Sequence, residues 1–174
     1  MNVKEINVFT ENIYPDWDDK EELDEYEVII NTRKIVEFYL SQLTNISCLK
    51  GFKFDTLTFD ILFCDSEKTH QINREYRDKD YPADIITFAI FADDDAKFIL
   101  DDDINLGEII IALDKVKEEA KKISVSKKYE LYFLIAHGIL HLLGFDHQNE
   151  EDYNFVVDVQ KKALKYANIG ENYE

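Results

Sequence analysis

The spacing of apolar residues along the chain predicts alternating strands and helices. Residues 57–63 place an apolar side chain at every second position, which is typical of a strand with one buried face. Residues 28–43 repeat their apolar side chains at helical spacing, which predicts an amphipathic helix. Further strands are predicted at residues 6–8, at residues 85–91 and in the continuous apolar run of residues 108–113.

Polar capping residues predict where three more helices begin. Asp65 and Ser66 can cap a helix that runs to about residue 77, and Asp114 can cap a short helix that ends near residue 123. A last helix is expected from about residue 150 to residue 165, because acidic residues open this segment and lysines close it.

The helix predicted over residues 127 to about 143 has a different character. Ser126 can cap its start, and apolar side chains occur nearly all the way round it, so we expect this helix to be buried. Gly144 follows, at the position where a left-handed residue normally closes a helix. The whole pattern reads β-α-β-α-β-β-α-α-α. It predicts an α+β fold in which residues 1–174 form a single domain, with a small mixed β-sheet covered by helices.

Composition is consistent with one globular domain. Hydrophobic residues make up 45% of the 174 positions and aromatic residues 13%. No apolar run reaches the length of a membrane span, and the first residues do not have the pattern of a secretory signal, so we expect a cytoplasmic protein. The two cysteines, Cys48 and Cys64, are then expected to be buried thiols rather than a disulfide.

The formal net charge of −17 argues against bulk attraction to nucleic acid or anionic membranes. We interpret the acidic runs at residues 16–27, 93–95 and 101–103 as solvated loops. A local concentration of lysines offers two alternatives, a basic patch for an anionic partner or a solubilising helix face. Its members are Lys115, Lys117, Lys121, Lys122, Lys127 and Lys128.

Three of the four histidines fall within residues 137–147. Four residues of helix turn about 400°, so His137 and His141 are expected on one face, about 6 Å apart along the axis. Gly144 lets the chain leave the helix and reverse, which allows His147 to supply a third nitrogen. Three protein ligands with one open position are typical of catalytic zinc. The alternative is that these histidines only pack in the core. It is disfavoured because burying an imidazole without a hydrogen-bond partner costs folding free energy.

The same histidine spacing occurs in metzincin peptidases, which carry a glutamate directly after the first histidine as the general base. Gly138 occupies that position here, and the chain has only one methionine, Met1, so nothing supplies the Met-turn of those enzymes. A peptidase is therefore disfavoured. His70 stands apart from the cluster and is interpreted as a surface or packing residue.

The sequence resembles the YbeY endoribonuclease family at three segments. Residues 137–147, HGILHLLGFDH, are similar to the family signature H-G-x-L-H-L-x-G-[YF]-D-H. Residues 72–88 resemble its L-N-x-x-Y-R-x-x-D-x-P-T-D-V-L-S-F segment, and residues 106–111 its L-G-D-I-x-I segment. Gln160 lies where a family glutamine follows the metal site. The resemblance covers roughly residues 55–165 and leaves the first fifty residues without a family signal.

This resemblance implies a zinc-dependent endoribonuclease with a metzincin-like metal helix that acts on single-stranded RNA. It implies work in small-subunit ribosomal RNA 3′-end maturation and ribosome quality control, with the ribosome or ribosomal proteins as partners. His137, His141 and His147 would hold one zinc ion, or another transition metal such as nickel. Arg77 matches the family's arginine and is expected to be catalytic, meeting negative charge on the phosphoryl oxygens.

Three questions stay open at this point. Arg77 could instead form a surface salt bridge with Asp78 or Asp80. Asp146 could orient a histidine ligand or only cap the following turn. A zinc hydrolase with another substrate class and a non-catalytic ribosome-assembly factor with a structural metal remain the alternative functions.

Overall fold

The computed structural model describes residues 3–18, 21–43, 46–146 and 148–171. The order of elements predicted from the sequence is confirmed, with a 3₁₀ turn at Ser47–Leu49 and a short helix between the third and fourth strands in addition. The elements are β1 (Glu5–Asn12), α1 (Glu25–Gln42), β2 (Thr56–Cys64), α2 (Ser66–Tyr76), β3 (Ile85–Phe88), α3 (Ile90–Asp93), β4 (Asp103–Ala112), α4 (Leu113–Ile123), α5 (Lys127–Leu142) and α6 (Glu150–Tyr166).

The strands form one mixed sheet in the order β1-β2-β4-β3. β1, β2 and β4 run parallel, whereas β3 is antiparallel to β4 and occupies an edge. The small mixed sheet predicted from the sequence is therefore confirmed. Among the described strands, β3 pairs with β4 alone, so its other edge has no strand neighbour.

Apolar side chains cover the two faces of the sheet unequally. One face carries the main core, in which buried residues of β2 and β4 pack with those of α1, α5 and α6. The other face carries a small second cluster beneath α2, formed by Cys64, Ile72, Ile86 and Ile110. The alternation of strand residues explains this division, because neighbouring positions point to opposite faces.

Helix α5 lies very close to the sheet at Gly138. A Cβ atom at this position would come within 3.0 Å of the side chain of Ile109 and 3.1 Å of that of Ile85. Real Cβ atoms rarely approach so closely, and interiors this dense leave little room for an extra methyl group. Glycine therefore lets α5 pack directly against β3 and β4.

Two of the predicted caps are confirmed and one is wrong. The Asp65 carboxylate accepts from the Lys68 amide at 2.9 Å, and the Ser126 hydroxyl from the Tyr129 amide at 3.0 Å. Asp114 does not cap α4, which begins at Leu113 directly after β4. Its carboxylate instead accepts from the backbone amide of Ser66 at 2.8 Å and ties α4 to the start of α2.

The interpretation of the acidic runs as solvated loops is correct for Asp94 and Asp95, which are exposed outside any helix or strand. It is wrong for Glu25 and Glu27, which lie in α1, and for Asp103, which opens β4. Asp24 is the N-cap of α1 and accepts from the Glu27 amide at 3.1 Å. Asp18 forms an ion pair with Lys127 at 2.8 Å, and Glu27 forms one with Lys128. This stretch is thus fixed to the surface of α5.

Both cysteines are free thiols, as expected. Cys64 is fully buried, and burial raises the pKa of its thiol to about 12. Cys48 is half-buried and donates to the carbonyl of Leu143 at 3.2 Å. No helix within the described residues is long and apolar enough to cross a membrane.

Glu130 is a buried carboxylic acid in the first turns of α5. Its side chain is only 5% exposed, and burial raises its pKa to about 7, with further contributions from the negative charges of Glu119 and Asp84. The folded state thus disfavours the ionised form, which costs stability once the pH exceeds the carboxyl pKa of the unfolded chain.

We expect Glu130→Gln to stabilise the protein in a pH-dependent way. Below about pH 4.5 the carboxyl is protonated in both states, so the variant should unfold like the wild type. The difference in free energy of unfolding should grow as the pH rises to 7 and reach about 3 kcal/mol at pH 8. Urea unfolding across this range measures it, with the exposed Glu37→Gln as control. A difference that does not change with pH would contradict the prediction.

Candidate functional site

Two histidine rings of α5 converge on a single point. His137 and His141 lie one turn apart, and their Nε2 atoms are 2.8 Å from each other. The ring centroids are 4.5 Å apart with the planes inclined at 70°, and both side chains are half-buried. The shared face expected from the sequence is therefore present, and the two imine nitrogens are directed at the same position.

A buried glutamine on α6 sets the orientation of the first ring. Gln160 is 1% exposed, and its amide nitrogen donates to the carbonyl of Phe133 at 3.1 Å. Its amide oxygen therefore faces His137 Nδ1, 3.4 Å away, and this arrangement favours the tautomer with the proton on Nδ1. This tautomer places the Nε2 lone pair of His137 on the side of the ring that faces His141, an arrangement common around metal-binding histidines.

The chain reverses immediately after these histidines. Gly144 has φ of +87°, so the left-handed residue expected at the end of α5 is confirmed. The Phe145 amide returns to the carbonyl of Leu140 at 2.9 Å, which closes the helix. The proposed third ligand, His147, lies outside the described residues. Within those residues, no third histidine, cysteine or carboxylate joins the pair as a metal-binding group.

Asp146 is exposed at the end of this turn. Because its neighbour at position 147 is not described, its role toward a histidine ligand stays a prediction.

Gly138 shows why the peptidase reading is disfavoured. Metzincins carry a general base at this position. Here a Cβ atom at the same position would lie 3.0–3.1 Å from the side chains of Ile109 and Ile85 of the sheet. Any acidic side chain at this position would meet the packed core rather than a water beside the histidines. Chemistry at this site must therefore draw on other residues.

Arg77 lies at the end of α2 and is exposed. The alternative that it forms a salt bridge with a nearby aspartate is wrong. Asp80 is instead bound by Arg74 at 2.5 Å and by His70 at 2.9 Å, so His70 is a surface residue in an ion pair. In the described part of the chain Arg77 forms no ion pair, and its guanidinium contacts only the side-chain oxygen of Asn73, at 3.4 Å.

The lysine patch is largely neutralised from within the protein. Lys117 donates to the carbonyl of Asp16 at 2.7 Å, and Lys127 to that of Trp17 at 2.8 Å. Lys127 and Lys128 also form the ion pairs with Asp18 and Glu27 described above. Two further lysines pair along α4, namely Lys115 with Glu118 at 3.7 Å and Lys122 with Glu119 at 3.9 Å. Of the two alternatives for this patch, a continuous track for a polyanion is thus disfavoured.

Comparisons with known proteins show which family this chain resembles. Residues 17–168 match the family described as Endoribonuclease YbeY. The match begins well before residue 55, so the N-terminal part carries a family signal that inspection of motifs missed. A relative named Endoribonuclease YbeY from Fusobacterium nucleatum is 36% identical over 144 residues, which cover 81% of this chain and 86% of the relative. A protein of the same name from Bacillus pumilus is 41% identical, covering 71% of this chain and 84% of its own.

The fold is similar to that of the Thermotoga maritima protein TM1509, determined in solution. The TM-score is 0.57 at 18% identity, and the alignment covers 93% of this chain and 88% of that protein. At this identity the likeness concerns the fold alone. The match over residues 17–168, together with relatives of which most of the length is covered, shows that this chain belongs to the YbeY endoribonuclease family.

Proposed function

We propose that this endoribonuclease is metal-dependent and cleaves single-stranded RNA at the histidine pair of α5. The observation that carries the proposal is the convergence of the Nε2 atoms of His137 and His141, 2.8 Å apart, with His137 held from behind by Gln160. Nitrogen donors so close together repel each other unless they share a proton or a cation. A metal ion relieves this repulsion.

The donor set fits zinc. Two tetrahedral Zn–N bonds of ordinary length place their nitrogens about 3.3 Å apart, so the two rings need to separate by only a fraction of an ångström. His147, three residues beyond the turn at Gly144, is the proposed third ligand, and the fourth position would be open. Zinc bound there would lower the pKa of a coordinated water or polarise a phosphoryl oxygen. Nickel satisfies the same nitrogen donors.

Arg77 is the proposed catalytic residue. Its guanidinium is exposed and forms no ion pair in the described part of the chain, so it is available for an anionic ligand. A planar guanidinium can donate two hydrogen bonds to the non-bridging oxygens of a phosphodiester, and it stabilises the negative charge that grows on them during cleavage.

The biological setting is also part of the proposal. Membership of the family supports a role in maturation of the 3′ end of small-subunit ribosomal RNA and in ribosome quality control, in the cytoplasm and with the ribosome as partner. With the lysines of α4 and α5 held internally, a partner that presents the RNA would compensate for the net charge of −17.

The experiment that tests the function compares two substrates. Purified protein loaded with zinc is incubated with an unstructured RNA and with an unstructured peptide. We expect cleavage of the RNA alone. Cleavage of the peptide would favour another class of hydrolase, and a folded, metal-loaded protein inert toward both would favour an assembly factor with a structural metal.

We expect one metal ion per chain, bound with an affinity that depends on His141. The His141→Ala variant removes one of the two converging nitrogens. Metal affinity should fall by more than about 100-fold, because even the loss of a residue that only hydrogen-bonds to a metal ligand can lower affinity by about that factor. Elemental analysis and competition with a chelator measure this. His70→Ala is the matched control, since His70 pairs with Asp80 away from the site. Unchanged metal affinity in His141→Ala would refute the site.

We expect Arg77→Glu to lower the rate of RNA cleavage by about 100-fold or more, because the new charge repels the developing phosphoryl charge. Metal content should not change, and the free energy of unfolding should fall by no more than about 1 kcal/mol, because the side chain is exposed. Arg33→Glu, on the distant helix α1, makes the same change in net charge and serves as control. Equal cleavage rates for Arg77→Glu and the wild type would show that Arg77 has no catalytic role.

We expect the isolated protein to bind naked single-stranded RNA weakly. Each phosphate contact steepens the dependence of log affinity on log salt by about 0.7, so two contacts or fewer give a slope no steeper than about −1.4. Titrations over a range of salt concentrations measure it. Tight binding with a slope that implies many contacts would contradict delivery by a partner. Neutralising the six lysines of the patch should then flatten the slope.

A further inference from the structure

A single buried residue organises the segment that follows α2. Asn73 is fully buried, and its backbone carbonyl accepts from the amides of Arg77 at 3.1 Å and Lys79 at 3.0 Å. Its side-chain nitrogen donates to the carbonyl of Tyr81 at 2.8 Å. These bonds hold residues 77–81 against the end of α2 although their side chains lie mostly at the surface.

Two tyrosine rings project from this segment and from the last turn of α2. Tyr76 is 71% exposed, and its ring meets Phe88 nearly at right angles, at 81° with 6.4 Å between centroids. Phe88 thus supports the ring without stacking on it. Tyr81 is 53% exposed. An exposed tyrosine ring presents a π face on which an unpaired base can stack.

The cations beside these rings are available to a ligand. In the part of the chain that the structure describes, neither Arg77 nor Lys79 forms an ion pair. The Lys79 ammonium lies 6.0 Å from the centroid of the Tyr81 ring. Three cations and three acids alternate over residues 74–80, so the local charge is balanced. This balance makes the surface more favourable for an anion than the rest of the chain, whose net charge is −17.

The Tyr76 ring lies at one end of β3, the strand against which α5 packs at Gly138. Phe88 is the last residue of β3, and Ile85, its first, packs against Gly138 next to His137. Three steps along a strand correspond to about 10 Å. Ile85 and Phe88 point to opposite faces of the sheet, so an extended polynucleotide bound at the histidines would pass round the open edge of β3 to reach Tyr76.

We infer that Tyr76 and Tyr81 form a stacking surface for unpaired bases of single-stranded RNA, with Arg77 and Lys79 on the adjoining phosphates. The inference rests on the proposed function and deepens it by naming how the substrate is held. Stacking accepts any base but requires that the base be unpaired, so the surface selects single strands without reading their sequence. Asn73 acts as the positioning residue of this surface.

The test measures stacking separately from cleavage. A single-stranded oligoribonucleotide with 2-aminopurine replacing one base near the cleaved bond is mixed with the enzyme, and quenching is followed before cleavage. We expect quenching with the wild type, with Tyr76→Phe and with the control Tyr26→Ala, whose ring is equally exposed on the distant α1. Tyr76→Ala should lose the quenching and raise KM about 10-fold, with kcat unchanged.

A second substrate distinguishes stacking from a structural effect. The wild type should bind an oligoribonucleotide with an abasic site at the same position about 10-fold more weakly than the intact RNA. The Tyr76→Ala variant should bind the abasic and the intact RNA equally well. Quenching and KM unchanged in Tyr76→Ala would overturn the inference. Quenching by a wild type that never cleaves RNA would contradict the proposed function and leave the stacking surface standing.

Discussion

The close approach of α5 to the sheet at Gly138 is the constraint on which the rest of the molecule depends. No side chain separates the helix from β3 and β4 at this point, so the helix axis lies lower than an ordinary residue would allow. The neighbouring residue in sequence, His137, projects about 100° further round the helix axis, and its Nδ1 faces Gln160 of α6. This glycine thus sets how close the helix that carries His137 and His141 lies to the sheet.

Two buried amide side chains, those of Gln160 and Asn73, orient groups of the candidate site. Gln160 bridges α6 to α5 and sets the His137 ring, whereas Asn73 gathers the loop that carries Arg77. Each is almost completely buried, so each hydrogen bond is formed in a region of low dielectric and is costly to break. Neither residue has a charge to contribute, and both act by fixing the direction of a group that does.

Most lysines of α4 and α5 are engaged within the protein, whereas Arg77 and Lys79 form no ion pair in the described part of the chain. Lys117, Lys127 and Lys128 are engaged by groups of the N-terminal segment, such as Asp18 and Glu27. Lys115 and Lys122 pair with acids of α4 itself. Arg77 and Lys79 escape such pairing, because Asp80 is already shared by Arg74 and His70.

The sequence by itself determined the order of the elements, the mixed sheet and the shared face of His137 and His141. All of these follow from local periodicity, from caps such as Asp65 and Ser126, and from the left-handed residue Gly144. Only the tertiary structure decided that Asp114 binds Ser66 instead of capping its own helix, and that Gln160 and Asn73 position the site. Such partners are separated by 23 residues for Gln160 and His137 and by 48 for Asp114 and Ser66. Their pairing depends on how helices pack across the sheet, and no local pattern in the chain contains that information.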